Sequence, residues 1–498
     1  MKSGQSADIH AHSSLSPIRQ YLAGLAALCC GATSPLGFSP YHWYGLSILA
    51  VSLLFWLWRV DPVHAGRHGW LFGVGWFASG TSWLYVTMHD YGHLSAWLSV
   101  LLIAVFAAYL ALFHGLTGWL SCRFKRTTPL QLAALWTLTE WVRSWLFTGF
   151  PWLMLGYSQV PQSPLAGFAP VGGILAVTFV TALTAAWLSR PGLRSAGFVL
   201  LLVASGYLAA QIAWTQPASA PVSVSLLQGN IDEGQKWRSD ALELTLIRYA
   251  RMAQASQARL IVLPETAIPV FSDEIPQLYL DDLSAKAKLR GGDVLYGIPE
   301  NHDGVYFNSL MSTGSSPAQI YRKVHLVPFG EFVPMHRLIG KLLDILALPM
   351  SDFSSGAPDQ PPLQVAGQQI GADICYEDAF GNEIRHALPA ASMLVNVTND
   401  GWFGPGNAPW QHLQMSQARA METGRYMLRA TNTGVTAIIN THGQLVAHLP
   451  IFTQGTLNGY ARSYRGATPY VRFGDAPILL LAGLVLIAGV IGSRRAPG

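Results

Sequence analysis

Gly371-Ala372-Asp373-Ile374-Cys375-Tyr376-Glu377-Asp378 is the stretch on which the reading of this chain turns. Residues 368–375 predict a strand, and that strand ends on a cysteine followed closely by two carboxylates. Open α/β sheets hold their sites at strand ends. Two further stretches follow the same plan. Leu263-Pro264-Glu265-Thr266-Ala267 places a glutamate after the short apolar strand 259–263. Tyr321-Arg322-Lys323-Val324-His325-Leu326-Val327-Pro328-Phe329-Gly330-Glu331 places a lysine at the end of strand 319–323.

The residue types at these three ends form a chemical set. A cysteine attacks only as the thiolate. A buried carboxylate within reach takes the thiol proton, which is a role for Glu265. A neighbouring ammonium stabilises the thiolate and then the oxyanion of a tetrahedral intermediate, which is a role for Lys323. Together the three imply acyl transfer through a thioester on Cys375. Each alone has a plainer reading: a capped strand end, a surface lysine, a small buried hydrophobe. His325 and His412 are rival bases, although His325 has apolar neighbours and reads as packed. The other cysteines, Cys29, Cys30 and Cys122, lie in apolar runs. No spacing among the four resembles a metal site or a disulfide framework, so no metal and no cofactor are expected.

Around these ends the pattern is that of a layered α/β domain. Strands are predicted at 222–227, 259–263, 293–298, 307–313, 319–323, 368–375, 392–397, 434–440, 443–448 and 456–462. Helices are predicted at 238–257, 275–290 and 409–427. The Pro/Ala/Ser-rich segment 215–221 marks the start of the domain.

The rest of the chain has another character. Of 498 residues 51% are hydrophobic and only 12% charged, against roughly 25% charged in a soluble domain. The net charge of +4 comes with no basic cluster, which argues against nucleic acid. A bilayer crossing needs about 20 apolar residues. Candidates lie near 17–34, 41–58, 69–87, 93–121, 129–149, 165–189, 196–214 and 475–493, which makes eight spans. Arg59, Arg67, Arg123, Lys125, Arg126, Arg190, Arg194, Arg494 and Arg495 follow alternate spans, and the intervening loops carry no Lys or Arg. Positive residues stay on the cytoplasmic side. Both termini are therefore expected there, with 215–474 on the opposite face, the periplasm of a bacterial inner membrane. The expected division is a seven-span domain 1–214, a catalytic domain 215–474, and a closing helix with its tail, 475–498. Glu140 and Arg143 share one helix face and are expected to pair.

These residues resemble the nitrilase superfamily, whose members carry a Glu–Lys–Cys triad on an αββα sandwich; the likeness covers roughly 222–462. It implies Glu265 as general base, Lys323 as oxyanion stabiliser and Cys375 as nucleophile. With the apolar helices added, the chain resembles the apolipoprotein N-acyltransferase family. That likeness marks Glu331 as a second essential glutamate, Trp237 as a residue near the lipid entrance, and Tyr376 and Glu377 as supports of the nucleophile. Asn399, Trp402 and Phe403 fall in another of its segments. Glu331 and Glu377 are open to a purely geometric role, Asn399 to turn formation, and Trp402 and Phe403 to core packing or an acyl-pocket wall. The implied reaction moves the sn-1 chain of a phospholipid, typically phosphatidylethanolamine, to Cys375. The chain then passes to the α-amine of the diacylated cysteine that begins an apolipoprotein. The 341–357 segment, with Leu342, Leu343, Ile345, Leu346 and Met350, is a candidate lid or an ordinary amphipathic helix. A membrane-tethered amidase is the alternative activity, since the same triad serves hydrolysis. A transporter is disfavoured because few ionisable residues fall within the spans.

Overall fold

The computed structural model describes residues 16–124, 127–333 and 352–495. The candidate lid residues Leu342, Leu343, Ile345, Leu346 and Met350 lie outside these, as do Lys125 and Arg126.

Two six-stranded sheets form the second half of the chain. The first runs Gly455–Ala461, Val222–Gln228, Leu260–Val262, Asp293–His302, Val305–Gly314, Ile320–Arg322. The second runs Leu445–His448, Ala437–Ile439, Met427–Thr431, Met393–Thr398, Gln368–Ile374, Leu363–Val365. Each has three parallel strands at its centre and antiparallel strands outside them. Parallel neighbours need crossover connections. Helices Ser239–Ala255 and Gln277–Lys288 supply them for the first sheet; in the second, helix Ala408–Thr423 supplies one and the short helical turns Cys375–Ala379 and Gly381–Ile384 the other.

Side chains alternate across a strand, and this builds the layers. Val224, Leu226, Val262 and Leu295 meet Val395, Val397, Leu428 and Ile438 between the sheets. Ile261, Leu263 and Val294 point the other way, onto Tyr249, Met252 and Leu283 of the outer helices. The result is the expected αββα sandwich. Thr215–Pro217 and Tyr464–Gly466 pair antiparallel, so the chain enters and leaves the sandwich through one small sheet.

One expectation fails here. Helix 409–427 ends at Thr423, where Gly424 takes the left-handed conformation (φ 63°) that residues with a Cβ disfavour. Met427–Thr431 is instead a central strand beside Met393–Thr398. Its Arg429 disguises it: a charge at the heart of a sheet is tolerated only because it is paired there.

All eight apolar segments contain a helix: Pro17–Thr33, Tyr44–Val60, Ala65–Gly80, Ala96–Ser121, Pro129–Arg143, Ala169–Leu188, Leu193–Ala210 and Ala476–Arg495. Eight spans are not confirmed, however. Three helices, Ala96–Ser121, Pro164–Leu188 and Leu193–Ala210, are long and apolar enough to cross a bilayer, or four with the pair Tyr44–Val60 and Pro62–Gly80, which is bent by 117°. For Pro17–Thr33 and Pro129–Arg143 the physical reason is length. At 1.5 Å per residue the 15- to 17-residue helices reach about 25 Å, short of a hydrocarbon layer of about 30 Å. Helices of every length turn apolar side chains outward, with Leu49, Leu53, Val100, Leu101, Leu112, Leu200, Leu201, Leu480 and Leu484 all exposed. So many exposed apolar side chains on these helices fit a membrane protein.

Candidate active site

The central parallel strands of both sheets end on the same side, and the chain bends sharply there. Asn230, Thr266 and Cys375 each follow such a strand and each has positive φ (50°, 44° and 56°). Non-glycine residues in that region carry strain and collect at functional sites. At Cys375 the bend lifts the thiol off the end of Gln368–Ile374.

Glu265, Lys323 and Cys375 come together at this end of the sandwich. Glu265 is held by both oxygens: Oε1 accepts from Asn308 Nδ2 at 2.8 Å and lies 3.4 Å from Lys323 Nζ, and Oε2 accepts from the Asn399 amide at 3.0 Å. Lys323 Nζ also meets Glu331 at 2.9 Å. Lys323 is 1% exposed. Burial alone would lower its pKa, but Glu331 and Glu265 outweigh it and hold the amine protonated. Burial pushes the Cys375 thiol well up, Glu265 adds to this, and Lys323 opposes it. The resting sulfur is therefore a thiol, and attack requires a base.

Glu377 ties the lysine segment to the cysteine strand. Oε1 accepts the amides of Val324 (2.6 Å) and His325 (3.1 Å), and Oε2 that of Ile374 (2.6 Å). Tyr321 donates its hydroxyl to both oxygens at 3.1 Å. Burial lifts this carboxyl to about 7 against those amides and Lys323. With every donor accounted for by positioning contacts, the geometric role fits Glu377 best. Glu331 is likewise anchored, through the Val327 amide (2.8 Å), Asn308 and Lys323.

Below the thiol lies a second polar layer. His412 Nε2 is 3.1 Å from the Cys375 carbonyl and 3.0 Å from Asp378, and Nδ1 is 2.8 Å from Asp400. Arg429 binds both aspartates, at 3.0 and 3.1 Å, and also Asn396, at 2.7 Å. Burial and Arg429 would depress the imidazole, but Asp378 and Asp400 carry it up to about 9. His412 is thus a fixed cation under the cysteine backbone. His325 turns Nδ1 to the Glu383 carboxylate (2.9 Å) and Nε2 to the Thr148 carbonyl (3.1 Å), both acceptors, and stacks on Phe380, so it is packed as expected.

The helical half reaches into this layer. Glu140 and Arg143 sit 3.9 Å apart rather than tightly paired. Glu140 accepts the Leu155 amide, and Arg143 donates to the Phe150 and Trp152 carbonyls. They hold the 150–155 loop, whose Trp152 packs on Tyr376, Phe403 and His412. Tyr376 donates to Gly149 O at 3.3 Å. Phe403 packs on Trp83, and Trp402 meets Tyr91 at 5.4 Å between ring centres. Trp237 is 55% exposed and its ring lies beside Lys236, whose Nζ is 3.4 Å from the Glu265 carbonyl.

A family model described as "Apolipoprotein N-acyltransferase N-terminal domain" matches residues 30–187, and one described as "Carbon-nitrogen hydrolase" matches residues 223–463. A protein from Nitrosomonas europaea named apolipoprotein N-acyltransferase is 48% identical over 489 residues, covering 95% of this chain and 98% of its own. The chain belongs to the apolipoprotein N-acyltransferase family. A second relative with that name, from Chromobacterium violaceum, is 42% identical, covering 99% of this chain and 98% of its own. Among solved structures, a CN-hydrolase superfamily protein from Xanthomonas campestris aligns over 56% of this chain and all of its own, at 16% identity and TM-score 0.37. This member of the apolipoprotein N-acyltransferase family thus joins a nitrilase-like sandwich to an N-terminal helical region.

Sequence reading missed Asn308, which bridges Glu265 and Glu331; the hold of Tyr321 on Glu377; Lys236, which donates to Thr266; and the layer that joins His412, named there only as a rival base, to Asp378, Asp400 and Arg429. One signal was present for Asn308, the single carboxamide in the predicted strand 307–313.

Proposed function

We propose that Cys375 is acylated by a membrane phospholipid and hands the chain to the amino terminus of a diacylated apolipoprotein. Glu265 takes the thiol proton as sulfur attacks the sn-1 ester carbonyl. Lys323 stabilises the oxyanion, and the lysophospholipid alkoxide leaves with the proton from Glu265. The acceptor's α-amine then attacks the thioester, Glu265 removes its proton, and the thiolate departs as the amide forms. The family's name supports the acceptor class. The observation that carries the mechanism is the placing of Lys323 Nζ between Glu265 and Glu331, with Cys375 under the influence of both Glu265 and Lys323.

The reading includes phosphatidylethanolamine as donor, a catalytic region 215–474 on the periplasmic face, a membrane region 1–214, a closing segment 475–498, and cytoplasmic termini. The distribution of Lys and Arg supports this orientation. Hydrolysis by water is disfavoured by the apolar helices packed on the site through Trp152 and Tyr376.

Intact-mass analysis after incubation with phospholipid, and no lipoprotein, tests it. The expected result is one added acyl chain on the wild type, removed by hydroxylamine and absent from Cys375→Ala and Glu265→Gln. Turnover by wild-type enzyme with no such adduct would favour direct transfer and defeat the mechanism.

A further inference from the structure

Lys236 is a buried cation with no part in the transfer chemistry proposed for Cys375. It closes the short helix Glu233–Lys236, between exposed Gln235 and exposed Trp237, yet is itself only 2% exposed. Among the described residues no carboxylate stands at ion-pair distance from its ammonium. A buried charge without a counter-ion is costly, and such departures gather at functional sites. Two neutral oxygens hold the ammonium instead. Nζ donates to Thr266 Oγ1 and lies 3.4 Å from the carbonyl oxygen of Glu265.

Both oxygens belong to the turn that aims Glu265. Thr266 has φ 44°, a conformation that persists in such a residue only where its surroundings enforce it. Strand Asp293–His302 supplies part of that hold. The Leu263 amide donates to the Leu295 carbonyl at 2.8 Å, and the Ile268 amide to the Gly297 carbonyl at 3.2 Å. A Cβ on Gly297 would lie 2.5 Å from the Pro264 carbonyl oxygen and from the Thr266 nitrogen, so only a glycine lets the turn lie this close. Lys236 adds a hold on the Glu265–Thr266 peptide group itself. The same short helix also reaches the carboxylate. Glu233, 5% exposed, accepts from Asn399 Nδ2, and the Asn399 amide donates to Glu265 Oε2 at 3.0 Å. Asn432 pins the chain just before this helix, accepting the Ile231 amide at 2.9 Å and donating to the Ile231 carbonyl at 2.8 Å. One segment therefore seats Glu265 at its backbone and, through Asn399, at its carboxylate.

We propose that Lys236 is a positioning residue for the general base: its ammonium fixes the Glu265–Thr266 peptide, and with it the direction in which the Glu265 side chain leaves the turn toward Cys375. Its ammonium bonds to Glu265 and Thr266, not to Cys375, Lys323 or Glu331, so it acts through Glu265. The inference rests on the role of Glu265 as base proposed above.

The test uses full-length protein in detergent and reads two rates at Cys375: acylation by phosphatidylethanolamine, with no acceptor, and alkylation by iodoacetamide, localised by peptide mass. Lys236→Met keeps an unbranched side chain and removes the ammonium. Acylation at saturating lipid is expected to slow by about 10²-fold, the scale of a misplacement of about 1 Å. The half-saturating lipid concentration should change by less than about twofold, since the loss lies in the chemical step. Alkylation should slow in the same direction, and Lys236→Met should slow it no further in a Glu265→Gln background, because a residue that acts through another couples fully to it. Thr266→Val, which removes one acceptor and keeps the side-chain shape, should slow both rates by less, and carries the test should Lys236→Met fold poorly. Acylation at the wild-type rate, a loss confined to half-saturation, or further slowing of alkylation in the Glu265→Gln background would each overturn the positioning role. Should Glu265→Gln alone leave alkylation at the wild-type rate, the base assignment falls, and the positioning role with it.

Discussion

Helices Ser239–Ala255 and Gln277–Lys288 cover the outer face of the first sheet, and helix Ala408–Thr423 covers that of the second. The first two bury one stripe, such as Leu283, Ser284 and Ala287, and turn Glu243, Asp281, Lys286 and Lys288 outward. The third buries every residue except Trp410, which is half-buried, although Gln411, His412, Gln414, Ser416, Gln417, Arg419 and Glu422 are polar. Its far side meets not water but the helical half. Gln411 accepts from Trp152 Nε1 at 2.7 Å, Gln414 donates to the Val160 carbonyl at 2.7 Å, and Glu422 accepts the Ile174 amide at 2.7 Å. A buried polar group is costly unless bonded. The same structural position is thus a solvated cover on one side and a hydrogen-bonded joint on the other.

This contrast can be broken by substitution. The largest effect is expected from Arg419→Ala, which leaves Glu422 buried without its 2.7 Å partner. Breaking a buried pair costs about 3–5 kcal/mol, read as a lower unfolding midpoint in detergent. His412→Gln should slow thioester formation by about 10²-fold through misplacement of the Cys375 backbone. It should also remove a pH dependence. His412's folded pKa is raised, so its stabilisation is whole below about 6.5 and is lost as pH rises through about 9. Unfolding midpoints from pH 6 to 10 should fall in the wild type and flatten in the variant.

Smaller changes sharpen the comparison. Gln411→Ala should cost about 1–3 kcal/mol by orphaning Trp152 Nε1. Lys288→Ala, which removes an exposed pair with Asp281 at 3.1 Å on the solvated side, should cost less than about 1 kcal/mol and leave adduct formation unchanged. A Lys288→Ala loss as large as that of Arg419→Ala would show that both covers are structural joints.

Much of the candidate site was legible because the residues that the structure brings together stood at predicted strand ends. Glu265, Lys323 and Cys375 were each marked by a short apolar run that stopped. Strand Met427–Thr431 was not legible, since Arg429 contradicts a buried strand until Asp378 and Asp400 are seen beside it. Asn308 and His412 carried no motif, and their roles depend on which strands lie next to each other. The span count is not confirmed at eight, because apolar content was visible in the residues but helix length was not.

Periodicity and composition, by themselves, determined an apolar helical half, an alternating α/β half, and three candidate side chains at strand ends. These are local properties: each depends on a few consecutive residues and on their affinity for water. The tertiary structure alone decided that Glu377 clamps two segments together, that His412 lies charged under the cysteine, and that a polar helix is buried between the halves. Each of these depends on groups distant in the chain meeting where water is excluded, and charge and hydrogen bonding there are set by neighbours rather than by solvent.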